Sequence, residues 1–301
     1  MRKKFKVGLA LGGGAARGLS HIGILEVFEE NNIPIDIITG TSMGAIIGAM
    51  YATDTDISIL KERVCSYLAS DVFKSAKFDF LKEKDNEEGE GIFYKFSSFV
   101  RKSIFYTLSM TRKSFISEDT FTNNLAYLIE DINVEDTKIP FAATSVNLND
   151  GEEFIFTKGE LRKAVAASCA LPGIISPVLV DDKLLIDGGW LDAVPIEPAL
   201  QLGADVVIGV DVCGDINESE EPKCGLDIVS RSDVVTRYAL AKEKIKKADY
   251  VITPDVGDAN WADFSRADEI ITKGREQAGL HISNIKKAIR KKKFRRFFRC
   301  S

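Results

Sequence analysis

A serine stands between glycines at Gly40-Thr41-Ser42-Met43-Gly44, directly after the apolar residues 35–39. This is the GxSxG pattern of a strand–turn–helix elbow, in which a strained turn projects a serine hydroxyl as nucleophile. Flanking glycines keep Cβ atoms out of the bend. The small residues that follow, Gly44, Ala45, Gly48 and Ala49, let a helix approach a sheet closely. The amino end of that helix supplies N–H groups and partial positive charge, which favour alkoxide character at Ser42. A second cluster, Gly12-Gly13-Gly14-Ala15-Ala16-Arg17-Gly18, follows another apolar run. Such a loop offers several backbone N–H groups to an anion. Two uses compete: a cradle for a nucleotide pyrophosphate, or an oxyanion hole for a tetrahedral intermediate. No Gly-Lys-Ser/Thr follows, which removes the P-loop. Gly12, Gly14 and Gly18 are one residue out of dinucleotide spacing, and the next strand ends in the serine elbow rather than an acid. Both points favour the oxyanion.

The third group is Asp187-Gly188-Gly189, at the end of an apolar stretch. A turn aspartate ordinarily caps its own backbone; here it is also a candidate base for Ser42. The chain has two histidines. His281 adjoins a basic end, and His21 lies early in the helix after the glycine loop, where a packing or capping role is the ordinary one. A Ser–Asp dyad is the economical answer. A carboxylate is a weak base in water, but partial burial raises its pKa and sharpens its bond to a hydroxyl.

The elements that must hold these groups follow from hydrophobic pattern. Strands are expected over 6–11, 35–39, 141–148, 153–157, 178–187, 205–212 and 250–253. Helices are expected over 19–31, 43–52, 57–69, 118–129, 161–167, 230–247 and 264–278. Strands alternating with helices, several of them continuous in Val and Ile, predict an α/β fold with a largely parallel sheet covered on both faces. Residues 71–117 break the pattern. Charge gives way to the aromatic run IFYKFSSFVRKSIFYTLSM, which reads as a packed helical pair or as a lid over an apolar site.

At 301 residues, with 45% hydrophobic and 28% charged residues, the chain is long enough for a full core and ordinary for a globular protein. It has no apolar run of spanning length. Five scattered cysteines without CxxC spacing disfavour zinc or a disulfide framework and suit a reducing, cytoplasmic setting. The net charge of −5 hides an asymmetry. The end, IKKAIRKKKFRRFFRCS, is basic and bears Phe294, Phe297 and Phe298, and the start adds Arg2, Lys3, Lys4 and Lys6. A basic, aromatic end on an acidic body suggests peripheral contact with an anionic membrane, on the inner face. A solvated, disordered end is the ordinary alternative, and nucleic acid is the least favoured partner. The sequence carries no signal of oligomeric state.

The three motifs, in this order, resemble the patatin-like phospholipase family, over roughly residues 6–68 and 139–212. AVAASCALPGIISPV resembles the family segment that leads to the aspartate. The resemblance implies a three-layer α/β/α fold. It also implies a serine acyl-ester hydrolase acting on lipids, of phospholipase A or lysophospholipase type, with a lipid or fatty-acyl ester substrate and neither metal nor organic cofactor. Ser42 is then the nucleophile and Asp187 the second dyad member. Gly12, Gly13, Gly14, Ala15 and Gly18 form the oxyanion loop, joined by Met43, and Arg17 fixes the loop or meets a lipid phosphate. Gly40, Gly44, Gly188 and Gly189 shape the two turns. The family often has glycine where Ala15 stands. If that position needs φ > 0, alanine strains it by roughly 1 kcal/mol, and the hole is left to Gly13 and Gly14. The expected organisation is a hydrolase domain over 1–284, a lid insertion near 71–117, and a basic tail over 285–301. A nucleotide- or anion-binding regulator without hydrolase activity is the alternative.

Overall fold

The computed structural model describes residues 4–75, 114–216, 221–257, 259 and 261–299. Most of the expected aromatic lid, 76–113, and Cys300 lie outside the described residues.

Val7–Leu11 (β1) is buried at all five positions, as a strand covered on both faces must be. Alternation sorts its side chains between two cores. Leu9 and Leu11 join the larger core, and Ala10 joins a smaller one with Ile37, Val194, Ile196, Ala199 and Val207. The other strands are Ile37–Gly40 (β2), Phe141–Asn147 (β3), Glu153–Phe156 (β4), Val178–Val180 (β5), Lys183–Asp187 (β6), Val206–Val210 (β7) and Tyr250–Ile252 (β8). They form one sheet in the order β5-β6-β3-β2-β1-β7-β8, with β4 also on β3. The pairs among β3, β2, β1, β7 and β8 are parallel. Those of β4, β5 and β6 are antiparallel. Leu11, Gly40 and Val210 therefore end their strands at one edge of the sheet, the carboxyl edge.

The described helices are Ser20–Glu30 (α1), Met43–Thr53 (α2), Ile57–Ala69 (α3), Asp71–Ser75 (α4), Glu118–Leu125 (α5), Leu161–Ser168 (α6), Ile196–Gln201 (α7), Gly225–Ile245 (α8) and Ala267–Arg299 (α9). Ile22, Leu25 and Phe28 of α1 are fully buried, as their spacing of three predicts. Along α9, Arg275 clamps α1 through Glu30 at 2.7 Å. Helix α7 covers the smaller core on the opposite face. The layers are thus helix, sheet and helix.

Several boundaries differ from expectation. Residues 178–187 are two strands, not one: Asp181 and Asp182 take φ of 47° and 63°, and the chain turns back as a hairpin. The short helix α7, begun and interrupted by prolines, carries too few residues to show a period. The basic end is the last part of α9, which runs unbroken through the expected boundary at 284, with Ile285 fully buried. The basic end is therefore helical as far as Arg299.

Candidate active site

β2 leads into the elbow. The Thr41 N–H donates to the Leu11 carbonyl at 3.1 Å, and Ser42 follows at φ 54°, ψ −121°, a region costly for any residue with a Cβ. Its surroundings hold it there. The Ser42 N–H donates to Ser168 Oγ at 3.0 Å, and the Gly44 N–H to the Thr41 carbonyl at 2.9 Å. Thr41 Oγ1 donates to the Asp192 carbonyl and lies 2.8 Å from Thr144 Oγ1. Gly44 is forced by close approach, since a Cβ there would sit 2.1 Å from the Leu11 carbonyl oxygen. Met43 opens α2, so Ser42 stands at that helix's amino end.

β6 delivers Asp187 to the same level. Asp187 pairs with Ser145 in register, and Thr144 is the residue bonded to Thr41. Asp187 is 3% exposed. Burial pushes its carboxyl up to about 6, while the Gly189 N–H, the Ser42 side chain and the Arg237 charge pull it back. The Gly189 N–H donates to Asp187 Oδ1 at 2.7 Å. Turn capping and proximity to Ser42 thus fall on one carboxylate. Gly188 starts the turn, against Thr144.

The glycine loop closes the third side. Gly13 lies against the elbow: a Cβ there would come within 3.2 Å of Ser42 Cβ. Its N–H, however, donates to the Ala193 carbonyl at 3.0 Å, and that of Gly12 donates to the Val210 carbonyl at 2.9 Å. The expectation that Gly13 serves as an oxyanion donor is therefore corrected. Among the described residues, the N–H groups of Gly14, Ala15 and Met43 have no hydrogen-bond acceptor. Ala15 has φ 46°, the left-handed conformation in which a Cβ is strained. Arg17 Nε donates to the Ala259 carbonyl at 2.9 Å, which fastens the loop. Gly18 passes beside Met43.

The histidines are engaged elsewhere. His21 is fully buried, and its Nε2 lies 2.8 Å from the Gly12 carbonyl. Burial pushes its pKa down to about 4, so it is neutral and Nε2 carries the proton. His281 lies on α9, with Nδ1 2.6 Å from the Tyr250 hydroxyl. Ser168, Thr144 and the Asp192 carbonyl escaped the sequence reading; the only local hint of Ser168 was its place in AVAASCALPG, ahead of the aspartate. Asp192 is itself buried beside Glu153, and Lys244 Nζ lies 3.6 Å from Asp192 Oδ2 and 3.7 Å from Glu153 Oε2. Burial and the Glu153 charge push the Asp192 carboxyl upward.

Ser42, Ala15 and Met43 border a cleft whose other walls are almost wholly apolar, including Ile46, Tyr67, Phe73, Phe121, Leu171, Trp261 and Phe264. Beside it Cys169 is buried, and burial pushes its thiol well up, so it stays protonated. A hydroxyl, a buried carboxyl and unclaimed amides facing an apolar cleft suit acyl transfer from a hydrocarbon chain. Among the described residues, no group of His, Cys, Asp and Glu is placed to hold a metal ion. No described helix is long and apolar enough to cross a membrane.

The family model described as patatin-like phospholipase matches residues 9–200. Lysophospholipase NTE1 of Kluyveromyces lactis is 32% identical over 206 residues, which are 68% of this chain and 12% of that protein. Lysophospholipase nte1 of Aspergillus fumigatus is 30% identical over 213 residues, 71% of this chain and 12% of that one. Patatin-like phospholipase domain-containing protein 7 of Rattus norvegicus is 28% identical over 306 residues, 92% of this chain and 21% of that one. The chain spans less than a quarter of the length of these curated relatives. VipD from Legionella pneumophila aligns with a TM-score of 0.50 at 12% identity, covering 94% of this chain and 67% of that chain, a likeness of fold.

Proposed function

Because the chain belongs to the patatin-like phospholipase family, we propose that it hydrolyses lipid acyl esters through a Ser42–Asp187 dyad. The observation that carries the reading is the meeting at one edge of the sheet of a strained serine, a buried carboxyl and amides with no acceptor. In the proposed step, Asp187 takes the Ser42 proton as Ser42 Oγ bonds to the acyl carbon. The carbonyl π pair moves to oxygen, where the Gly14, Ala15 and Met43 N–H groups receive it. Collapse expels the alkoxide of the ester, which leaves with the proton from Asp187. Water then attacks the acyl-enzyme and gives its proton to Asp187; collapse breaks the bond from the acyl carbon to Ser42 Oγ, which takes that proton back from Asp187 as the fatty acid is released. The proposed route uses neither metal nor organic cofactor. A pKa near 6 leaves Asp187 ionised at neutral pH yet more basic than an exposed carboxylate.

The apolar cleft supports a long acyl chain as the substrate portion, and the relatives named lysophospholipases point to lysophospholipids as the first substrates to assay. The test is turnover of soluble p-nitrophenyl esters and of lysophospholipids by Ser42→Ala and Asp187→Asn, together with fluorophosphonate labelling. The expected result is labelling at Ser42 and loss of turnover in both variants. Unchanged turnover in either variant would end the dyad proposal, and an unlabelled serine with no turnover by the parent would leave the anion-binding regulator as the reading.

The basic end carries a second, separate attachment. Phe294, Phe297 and Phe298 are 65%, 55% and 61% exposed among lysines and arginines, which supports contact with an anionic membrane. Free Cys65, Cys169, Cys213 and Cys224 support a reducing, cytoplasmic setting on its inner face. The division proposed is a hydrolase domain over 1–284 with its last helix prolonged as the basic end.

A further inference from the structure

Residues 192–195 bond to all three motifs of the site. The Asp192 N–H donates to the Gly188 carbonyl at 2.8 Å, in the aspartate turn. The Asp192 carbonyl accepts from Thr41 Oγ1 at 2.8 Å, one residue before Ser42. The Ala193 carbonyl accepts the Gly13 N–H at 3.0 Å, one residue before the unclaimed amide of Gly14. The Pro195 carbonyl accepts from Thr39 Oγ1 at 2.7 Å, on β2. This strap lies between Trp190 and α7 and belongs to no strand or helix, so no ladder of its own holds it.

Its polar tie to the elements outside the site is one side chain. Asp192 is 1% exposed, and both its carboxyl oxygens are enclosed without a hydrogen-bond partner, as is Oε1 of Glu153 on β4. Lys244 of α8 reaches Asp192 at 3.6 Å and Glu153 at 3.7 Å. Lys247, just past α8, is paired with Glu197 of α7. Two acids thus face one ammonium. Burial and the Glu153 charge push the Asp192 carboxyl upward, so one proton stays with the two acids and the group is close to neutral. Buried ionic groups of this kind add little stability over apolar residues of the same shape. What this one supplies is direction for the strap. We propose that Asp192 is a positioning residue for the Ser42 reaction: held by Lys244 beside Glu153, its carboxyl fixes the strap whose carbonyls set the spacing of the elbow and the glycine loop. That role rests on the hydrolase reading of Ser42 and Asp187.

The test is turnover of a soluble p-nitrophenyl ester by Asp192→Leu and Asp192→Asn, read together with thermal melting. Leucine is close to aspartate in shape but has no carboxyl, and it leaves Glu153 and Lys244 as a balanced pair. In Asp192→Leu, kcat should fall about tenfold with KM within about twofold, because the apolar cleft is untouched. Its Tm should equal or exceed the parent's. Asparagine keeps the shape and its amide donates to Glu153, so Asp192→Asn should hold kcat within about twofold of the parent. The parent and this variant should part in alkali. There the parent loses its retained proton, two carboxylates face Lys244, and kcat should decline; Asp192→Asn has no such proton and should keep its rate. Unchanged kcat in Asp192→Leu would overturn the role. So would a Tm that falls in step with kcat, which marks a merely structural tie. If the leucine variant does not fold, the alkaline profiles decide alone, and identical profiles for the parent and Asp192→Asn overturn it. A folded parent without turnover removes the hydrolase reading itself, and this role with it.

Discussion

The two edges of the sheet use aspartate in opposite ways. At the amino edge Asp36 is met by Lys4 at 2.8 Å and by the Val7 N–H at 3.0 Å. Burial opposes ionisation there, but Lys4, Val7 and Lys6 together hold its carboxyl below the ordinary range. Asp249 and Asp205 are paired in the same way by Lys292 and Arg296 of α9. At the carboxyl edge Asp187 forms no ion pair among the described residues, and burial pushes it up to about 6. A carboxylate given a cation loses basicity and anchors structure, whereas one buried without a close cation retains a proton affinity useful for chemistry. The edges differ in surface too. The basic, phenylalanine-bearing end of α9 lies at the amino edge, by Lys4 and Asp205, whereas the Ser42 cleft lies at the other. Contact through the basic end leaves the cleft facing away from the surface it holds.

The sharpest way to break this contrast is to remove the proposed chemistry from one edge. Ser42→Ala and Asp187→Asn should each lower kcat/KM on a soluble ester by on the order of 10³-fold or more. Asp36→Asn should leave it within about twofold. Next comes pH. The rate should climb as Asp187 loses its proton through about pH 6 and level off above it; a flat profile from acid to neutral would separate Asp187 from the reaction.

Stability should move with opposite signs at the two carboxylates. The folded pKa of Asp187 lies above its unfolded value, so the native state binds the proton more tightly. That contribution is full below the unfolded pKa and is lost as pH rises through about 6. Asp187→Asn should therefore gain on the order of 2 kcal/mol against the parent at pH 8 and little in acid, read from denaturation at both values. Asp36 has a depressed pKa, so its contribution is present above the unfolded pKa and fades as pH falls through the folded one. Asp36→Asn should lose about 1 kcal/mol at neutral pH, and less in acid. At the basic end, Phe294→Ser with Phe298→Ser should weaken flotation with anionic vesicles several-fold, and high salt should weaken it further. Turnover of a soluble ester should be unaffected. The smallest effect is at the loop: Ala15→Gly relieves φ 46° and should add up to about 1 kcal/mol, seen as a small rise in Tm.

Much of the fold and the site was legible because short-range sterics write them locally. A serine fenced by Gly40 and Gly44 after an apolar strand has few conformations open to it, and Ser42 takes a strained one. Strand and helix periods along 6–69 survive nearly residue for residue. Legibility failed where a partner lies far along the chain. Gly13 and Gly14 read alike, yet Ala193, 180 positions on, claims the first amide and not the second. The hairpin at Asp181 and Asp182 lacks the glycine that marks such turns, so two strands read as one. The basic end read as a detachable tail because its charge outweighs Ile285 and Ile289, which pack inward.

From its residues alone, this chain determined the alternating α/β order, the elbow, the glycine loop and the aspartate turn, since each depends on neighbours within a few positions. Tertiary structure alone decided which amides stay unclaimed, which histidine supports the loop, and which edge carries the basic end. Those outcomes depend on hydrogen-bond acceptors, burial and direction supplied by segments a hundred or more residues away, and no local pattern encodes them.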